Sequence, residues 1–155
     1  RFALEVVRAT VAAIGADRVG IRLSPHGVFN GTGGYPDVKV QNLALIKELA
    51  QLRILYVHLL DHSALGAPPV PEELKLHLRV AFHGLFILAG GFDQASAEIA
   101  LRSGHADLIA FARPYIANPD LVERMQAKAA LNPLDMSTFY TPGPKGYTDY
   151  PALGA

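Results

Sequence analysis

Residues that could bind a phosphate group lie between positions 107 and 121. The apolar run 107–111 reads as a strand, and Arg113 stands just beyond its end. Asn118 and Pro119 follow and predict a helix, with Asn118 as its N-cap and Pro119 in the first helical position. Unpaired backbone N–H groups at a helix start, together with a guanidinium, suit the capture of an anion. The segment therefore predicts a phosphate site, of the kind that follows the last strands of many α/β barrels.

A pair of glycines offers a second set of donors for such a ligand. Gly90 and Gly91 follow the strand predicted at 85–88. Paired glycines let a backbone approach a ligand and leave bare N–H groups to bind it, although an ordinary strand-to-helix turn has the same composition. Because Arg113 follows the next strand, glycines and arginine would meet a phosphate from two sides at the end of a barrel.

Arg22 stands in the middle of the apolar strand predicted at 19–23. A charge in such a place is costly unless it is paired. Two interpretations stay open. The side chain lies at the carboxyl end of the strand and pairs with an acid, or it supports negative charge on a bound cofactor.

The histidines predict no metal site. No pair among the six has metal-ligand spacing together with a carboxylate. His58 lies in a predicted strand, which favours a hydrogen-bonded core histidine. Asp61 and His62, at the end of that strand, have the groups for acid–base work, but the polarity of a loop explains them equally well.

Alternating helices and strands must position these residues. Apolar runs predict strands at 19–23, 54–60, 85–88 and 107–111. Helical spacing predicts helices at 1–14, at 39–50, through Leu74 and Leu78, at 93–104 and at 119–129. Apolar strands separated by amphipathic helices indicate a parallel sheet covered by helices. Four such units make half of a (β/α)8 barrel or, alternatively, a small open doubly wound sheet.

The chain reads as one domain over residues 1–155, or as half of one. A Gly-rich, flexible loop is predicted at 26–37. Residues 131–155 are rich in Pro, Gly and Tyr and predict an ordered tail that wraps the surface. The chain begins at Arg1 inside a helical pattern, which favours a piece of a longer protein.

Composition narrows the classes of partner. Lys and Arg number 14, as do Asp and Glu, and this balance argues against nucleic acid or an anionic membrane as the main partner. There is no cysteine, which removes disulfides and thiolate metal sites. No apolar run approaches the ~20 residues that span a bilayer. With no secretory leader in the sequence, we expect a cytoplasmic protein.

Taken in order, these residues resemble the carboxyl-terminal half of the Old Yellow Enzyme family of FMN-dependent ene-reductases. The branch of oxophytodienoate and N-ethylmaleimide reductases is especially similar. The matching segments are 2–7, 14–25, 56–59, 89–92, 106–121, 131–140 and 146–151. The resemblance implies a TIM barrel, of which this chain would supply the fifth to eighth strands.

The resemblance also implies an FMN-phosphate site. Gly90 and Gly91 would donate backbone N–H groups to the phosphate, and Arg113 would bind it through the N–H donors of its planar guanidinium. Ala112 stands where the family usually has glycine. Its methyl group would be unfavourable if the backbone there had a positive φ or passed close to the phosphate.

Three further side chains take roles by resemblance. Arg22 would face the N1/O2 edge of the flavin, where the reduced ring gathers negative charge. Phe139 would lie near the dimethylbenzene edge and Tyr140 near the substrate pocket.

Two segments depart from the family pattern. The loop 26–37 is unusual for the family, and Asp61-His62 replaces its common Glu-Pro-Arg. The roles of the family's substrate-binding loops therefore cannot be carried over to this sequence.

The implied activity is the reduction of activated alkenes such as α,β-unsaturated carbonyls, with NADPH or NADH as reductant and hydride transfer from reduced FMN. The family's substrate-anchoring pair and proton-donor tyrosine belong to the first half of the barrel. We therefore expect no catalytic residue in this chain, an inactive isolated chain, and as partner the missing amino-terminal half or a second copy. The alternative is a non-catalytic, self-associating half-barrel or a truncated fragment without independent activity.

Overall fold

The chain divides into a sheet unit, Arg1–Ala110, and a carboxyl-terminal unit, Phe111–Ala155. The computed structural model describes residues 1–29 and 31–154. The predicted loop 26–37 has no helix or strand among its described residues, and its residue Asn30 lies outside them.

The sheet unit alternates helices with strands, as predicted. Its helices are α1 (Phe2–Ile14), α2 (Val38–Gln51), α3 (Glu72–Ala81) and α4 (Gln94–Arg102), with short 3-10 turns at Ala16–Arg18 and Ser63–Leu65. Its strands are β1 (Gly20–Leu23), β2 (Tyr56–Leu60), β3 (Leu85–Ala89) and β4 (Leu108–Ala110). The carboxyl-terminal unit holds α5 (Arg113–Ala117), α6 (Leu121–Ala127) and a 3-10 turn at Met136–Thr138.

The four strands form one parallel sheet in the order β1-β2-β3-β4. A doubly wound sheet reverses its strand order at a switch point, and this order contains no reversal. Each strand instead neighbours the next one along the chain, which is the connectivity of a segment of a (β/α)8 barrel. The sheet therefore favours the half-barrel over the open doubly wound alternative.

One face of the sheet is covered by helices. In β2, Val57 and Leu59 are buried, whereas the residues that alternate with them, Tyr56, His58 and Leu60, are only half-buried. Side chains alternate between the faces of a strand, so the buried pair points toward the helix layer. Apolar side chains from α2, α3 and β3 join this core, among them Ile46, Leu49, Leu74, Leu78, Phe86 and Leu88.

The other face, called the second face below, is more open. Parallel pairing places Arg22, His58, Ile87 and Leu108 in one row across it. Leu108 is 50% exposed, and Leu85 on the same face is 41% exposed. This face corresponds to the interior of a closed barrel, because barrel helices cover the outside of the sheet.

Local capping explains where α4 begins. Ser96 donates its backbone N–H to Asp93 Oδ1 at 2.8 Å, and Asp93 donates its own N–H to Ser96 Oγ at 3.0 Å. These reciprocal bonds satisfy two donors that a helix start leaves unpaired. The predicted cap at Asp93 is confirmed.

The helix start predicted at Asn118-Pro119 is wrong. Asn118 instead follows the end of α5, and α6 begins at Leu121 with Asp120 in the N-cap position. The Asn118 side chain is buried; its Nδ2 donates to Pro114 O at 2.8 Å, and its Oδ1 accepts from the Asn132 N–H at 2.7 Å. The amide closes the end of one helix rather than opening the next, so it cannot prepare an anion site.

Candidate functional site

Gly90 and Gly91 form a turn at the carboxyl end of β3. Both have positive φ, 122° and 70°. A β-carbon on Gly90 would collide with the carbonyl oxygen of Asp61, so the position has no room for a side chain. The Gly90 backbone thus makes a close approach, but the group that it approaches is the Asp61 carbonyl at the end of β2. Within residues 1–29 and 31–154, the Gly90 and Gly91 N–H groups have no hydrogen-bond acceptor and stay available to an anion.

Asp61 anchors the loop that leaves β2. Its buried carboxylate accepts the Ser63 N–H at 2.9 Å and the Val70 N–H at 3.1 Å, and Lys75 of α3 lies 3.0 Å from Oδ2. Burial alone would raise the pKa of Asp61, but the Ser63 hydrogen bonds and the Lys75 ammonium hold it below the ordinary value. Asp61 is thus an ionised structural anchor, which favours the loop interpretation for this residue.

His62, the next residue, packs on the same loop. Its ring meets Phe29 edge to face, with centroids 5.0 Å apart and planes at 87°. Its Nδ1 is buried and has no hydrogen-bond partner in the part of the chain that the structure describes. The ring contributes packing to the loop pair after β1 and β2.

Arg22 and His58 are direct register partners on β1 and β2. Arg22 is exposed, and no acidic group pairs with it among the described residues. The acid-paired interpretation thus finds no partner among the described residues, which leaves the guanidinium available to an anionic ligand. Burial and the Arg22 charge both lower the pKa of His58, so at neutral pH this row carries the single charge of Arg22.

His58 itself departs from expectation. Its Nε2 is buried and finds no hydrogen-bond partner between residues 1 and 29 or 31 and 154. The prediction of a hydrogen-bonded core histidine is wrong for this atom. A buried ring nitrogen without a partner is costly, which marks this row of the second face as a place for a further polar group.

In the carboxyl-terminal unit, Arg113 is the first residue of α5 and is half-buried. Ala112 precedes it with a φ of −109°, outside the left-handed region. Its methyl group therefore causes no backbone strain, and the family's usual glycine is not required for conformation. The Ala112 carbonyl accepts the Tyr115 and Ile116 N–H groups, at 3.0 and 3.2 Å, and begins the helix.

Phe139 and Tyr140 follow the 3-10 turn of the tail. Their rings meet edge to face, with centroids 6.5 Å apart and planes at 88°. Phe139 is half-buried, whereas Tyr140 is 97% exposed. The adjacent pair thus presents one aromatic ring to its own unit and one to solvent.

A buried arginine, which sequence reasoning missed, organises the same unit. Arg124 donates through Nε to Asp120 Oδ1 at 2.7 Å, through Nη1 to Ala130 O at 2.7 Å and through Nη2 to Pro151 O at 2.8 Å. Asp120 Oδ2 also accepts the Leu153 N–H at 2.6 Å. The signal was the Asp120–Arg124 spacing of four residues, which places both side chains on one helix face.

Asn132 ties the tail to α5. It donates Nδ2 to Ala117 O and to Pro151 O, each at 2.8 Å, and its backbone N–H to Asn118 Oδ1. The helix that begins with Arg113 and the tail that carries Phe139 and Tyr140 therefore share one network of hydrogen bonds.

The donors of each unit have the chemistry that FMN requires. The sheet unit offers the Gly90 and Gly91 N–H groups and the Arg22 guanidinium, which have no acceptor or acidic partner in the described part of the chain, and the carboxyl-terminal unit offers Arg113. Such groups fit a phosphate and a ring that becomes anionic. Among the described residues, no group of three or more His, Cys, Asp or Glu side chains could hold a metal ion. No described helix is both long and apolar enough to cross a membrane.

Comparisons with known proteins agree with this chemistry. Residues 1–132 match the family described as NADH:flavin oxidoreductase / NADH oxidase. The chain is 42% identical over 156 residues to 12-oxophytodienoate reductase 2 of Arabidopsis thaliana, covering 99% of this chain and 41% of that protein. It is 43% identical over 157 residues to chanoclavine-I aldehyde reductase of Penicillium roqueforti, covering 97% of this chain and 42% of that protein.

Solved structures give the same result. Morphinone reductase superimposes with a TM-score of 0.90 at 41% identity, over 99% of this chain and 41% of that one. A variant of NCR from Zymomonas mobilis gives a TM-score of 0.86 at 37% identity, over 99% of this chain and 48% of that one. This chain thus spans less than half the length of these four proteins. It belongs to the Old Yellow Enzyme family of FMN-dependent flavoprotein oxidoreductases and has the fold of about half of that family's TIM barrel.

Proposed function

We propose that this chain is the FMN-binding half of an NAD(P)H-dependent ene-reductase. The observation that carries the proposal is the turn at Gly90 and Gly91, where two backbone donors that have no acceptor among the described residues stand at the carboxyl end of a barrel strand. That end of the barrel is where enzymes with this fold hold their ligands.

Each proposed contact has a separate physical reason. Gly90 and Gly91 bind phosphate oxygens through their N–H groups, and Arg113 binds them through its guanidinium. Arg22 stabilises negative charge at the N1/O2 edge of the ring, because the lowered pKa of His58 keeps that ring uncharged at neutral pH and no acid within residues 1–29 and 31–154 pairs with the guanidinium. Phe139 packs near the dimethylbenzene edge.

Bound FMN would supply the hydride acceptor and donor for nicotinamide oxidation and alkene reduction. One morphinone reductase structure holds tetrahydroNAD, which supports a nicotinamide reductant for that protein. For this chain we propose NADH or NADPH, and an α,β-unsaturated carbonyl compound as substrate. Tyr140 contributes a ring to the substrate pocket, and the family's proton donor and carbonyl anchors come from the other half of the barrel.

The half-barrel needs a partner for its second face. Leu85 and Leu108 are 41% and 50% exposed there, and β1 and β4 are the edges of the sheet. Exposed apolar faces and open edges are places where another chain segment pairs. We propose that an amino-terminal half-barrel covers this face. The second candidate, a non-catalytic pair of half-barrels, closes the same edges with a second copy.

The experiment compares the full-length protein with the 155-residue chain. We expect yellow colour and enone-dependent NADPH oxidation from the full-length protein, and no oxidation from the 155-residue chain. Size-exclusion chromatography of the short chain separates the two candidates, because a dimer supports the self-associating half-barrel and a folded monomer contradicts it. A full-length protein that neither binds flavin nor oxidises NADPH with an enone would contradict the enzyme proposal. A cytoplasmic location stays a prediction.

A further inference from the structure

Tyr140 combines a strained backbone with a fully exposed ring. Its φ of 60° lies in the left-handed region, which residues with a β-carbon rarely adopt. Its side chain is 97% exposed, so burial of the ring does not compensate for this conformation. Another contact must hold the backbone in place, and such strain is concentrated at functional positions.

The contact is the hydroxyl of Tyr147. The Tyr140 N–H donates to Tyr147 Oη at 2.7 Å, a short and well-formed hydrogen bond. Tyr147 itself is fixed by a turn, because its N–H and that of Thr148 both donate to Pro144 O at 3.0 Å. The hydroxyl therefore approaches Tyr140 from a defined position.

A second contact closes the same segment. Gly146 has a φ of 79°, and a β-carbon there would collide with Thr138 Oγ1. Thr138 is buried and donates that hydroxyl to Asp135 O at 2.8 Å. Residues 138–147 thus form a loop that is closed at Thr138–Gly146 and again at Tyr140–Tyr147, with the Tyr140 ring pointing out of it.

We propose that Tyr147 is a positioning residue that presents the ring of Tyr140 to the substrate. The inference rests on the proposed function, in which Tyr140 lines the substrate pocket. Without the Tyr147 hydroxyl, Tyr140 loses the bond that holds its left-handed conformation, and its backbone relaxes to a negative φ. The relaxation turns the ring away and weakens substrate binding while the flavin contacts stay unchanged.

The test uses the full-length protein with Tyr147→Phe, and Tyr150→Phe as the matched control. Tyr150 is another tyrosine of the tail, and its hydroxyl accepts the Asp135 N–H at 3.1 Å rather than that of Tyr140. We expect Tyr147→Phe to raise the KM for the enone about three- to tenfold, as the loss of one hydrogen bond allows. We expect kcat to change by less than about twofold, and Tyr150→Phe to leave both constants within about twofold.

Amide hydrogen exchange at Tyr140 gives a readout that is independent of catalysis. The Tyr140 N–H should exchange at least about threefold faster in Tyr147→Phe and at the wild-type rate in Tyr150→Phe. Unchanged exchange at Tyr140, or an unchanged KM in Tyr147→Phe, would overturn the proposal.

Tyr140→Ala separates this inference from the proposed function. If that variant keeps the wild-type KM, Tyr140 is not a substrate residue and the assignment under the proposed function is wrong. If it raises KM while Tyr147→Phe does not, the substrate role stands and the positioning role is wrong. Because Tyr147 acts through Tyr140, adding Tyr147→Phe to Tyr140→Ala should change KM by less than about 1.5-fold.

Discussion

The carbonyl oxygen of Asp61 lies against Gly90 at the point where a β-carbon would stand. This contact joins the carboxyl ends of β2 and β3, and the Asp61 N–H donates to Ala89 O at 2.8 Å beside it. The glycine turn that we assign to the FMN phosphate is thus shaped by the loop that Asp61 anchors. Packing against the Asp61 carbonyl therefore requires glycine at position 90 whether or not a ligand binds there.

Gly90→Ala should be strongly destabilising, because it combines a positive φ with a collision against backbone. We expect it to cost about 3 kcal/mol of unfolding free energy. Gly104→Ala is the matched control: Gly104 has a φ of 73° and open space around it, so only the conformational cost of about 1 kcal/mol applies. Chemical denaturation measures both. Equal costs for the two variants would show that the Asp61 carbonyl does not constrain Gly90.

Asp61→Asn should destabilise the sheet unit at neutral pH. The carboxylate binds two backbone N–H groups and Lys75, and we expect a cost of about 2 kcal/mol at pH 7. Because the folded pKa of Asp61 is lowered, its stabilisation is present above the ordinary value of 3.8 and is lost as the pH falls through the folded value. Denaturation at a series of pH values should therefore show a smaller difference between the proteins in acid. A constant difference down to the lowest pH would contradict this assignment.

Arg22→Met should raise the pKa of His58. Burial and the Arg22 charge lower that pKa in the wild type, and the variant removes the second cause only. We therefore expect the His58 ring to titrate at a higher pH in the variant but still below its ordinary range. A histidine NMR titration measures the change, with Arg18→Met as a control outside the strand. If Arg22→Met leaves the titration where it was, the two side chains do not interact.

Arg124→Met should release the carboxyl-terminal tail. The variant removes three hydrogen bonds and leaves the Asp120 carboxylate without its charged partner, which we expect to cost about 3 kcal/mol within this unit. Limited proteolysis should then cut between residues 130 and 153 faster than in the wild type. Arg102→Met is the control, because Arg102 is an exposed helix residue whose guanidinium lies as far as 3.9 Å from the Glu98 carboxylate. Equal cutting rates in both variants would argue against the network.

The sheet could be predicted from the sequence because its signals are local. Strands such as β2 and β3 are apolar runs, and Asp93 opens α4 through bonds to a residue three positions away. The same local reasoning went wrong at Asn118, since Asn followed by Pro is typical of a helix start, and here the Asn118 amide closes α5 through Pro114 O. Pattern alone does not distinguish the two uses of that side chain.

Composition predicts an ordered tail at 131–155, but not the contacts that hold it, because those contacts join residues far apart in the sequence. Arg124 reaches Pro151, 27 residues away, and Leu153 reaches Asp120, 33 residues away. Neither contact has a periodic signal. The spacing of Arg113 after a strand predicts its phosphate role from the residues themselves, whereas the roles of Phe139 and Tyr140 came from resemblance to a family; all three stay predictions.

Titration of the full-length protein with FMN and with riboflavin tests the central claim most directly. The two flavins differ by the phosphate that Gly90, Gly91 and Arg113 are proposed to hold. We predict that FMN binds at least about tenfold more tightly than riboflavin, and that Arg113→Ala removes most of this difference while riboflavin affinity stays the same. Equal affinity for the two flavins, or a preference that persists in Arg113→Ala, would contradict the assignment of the phosphate site.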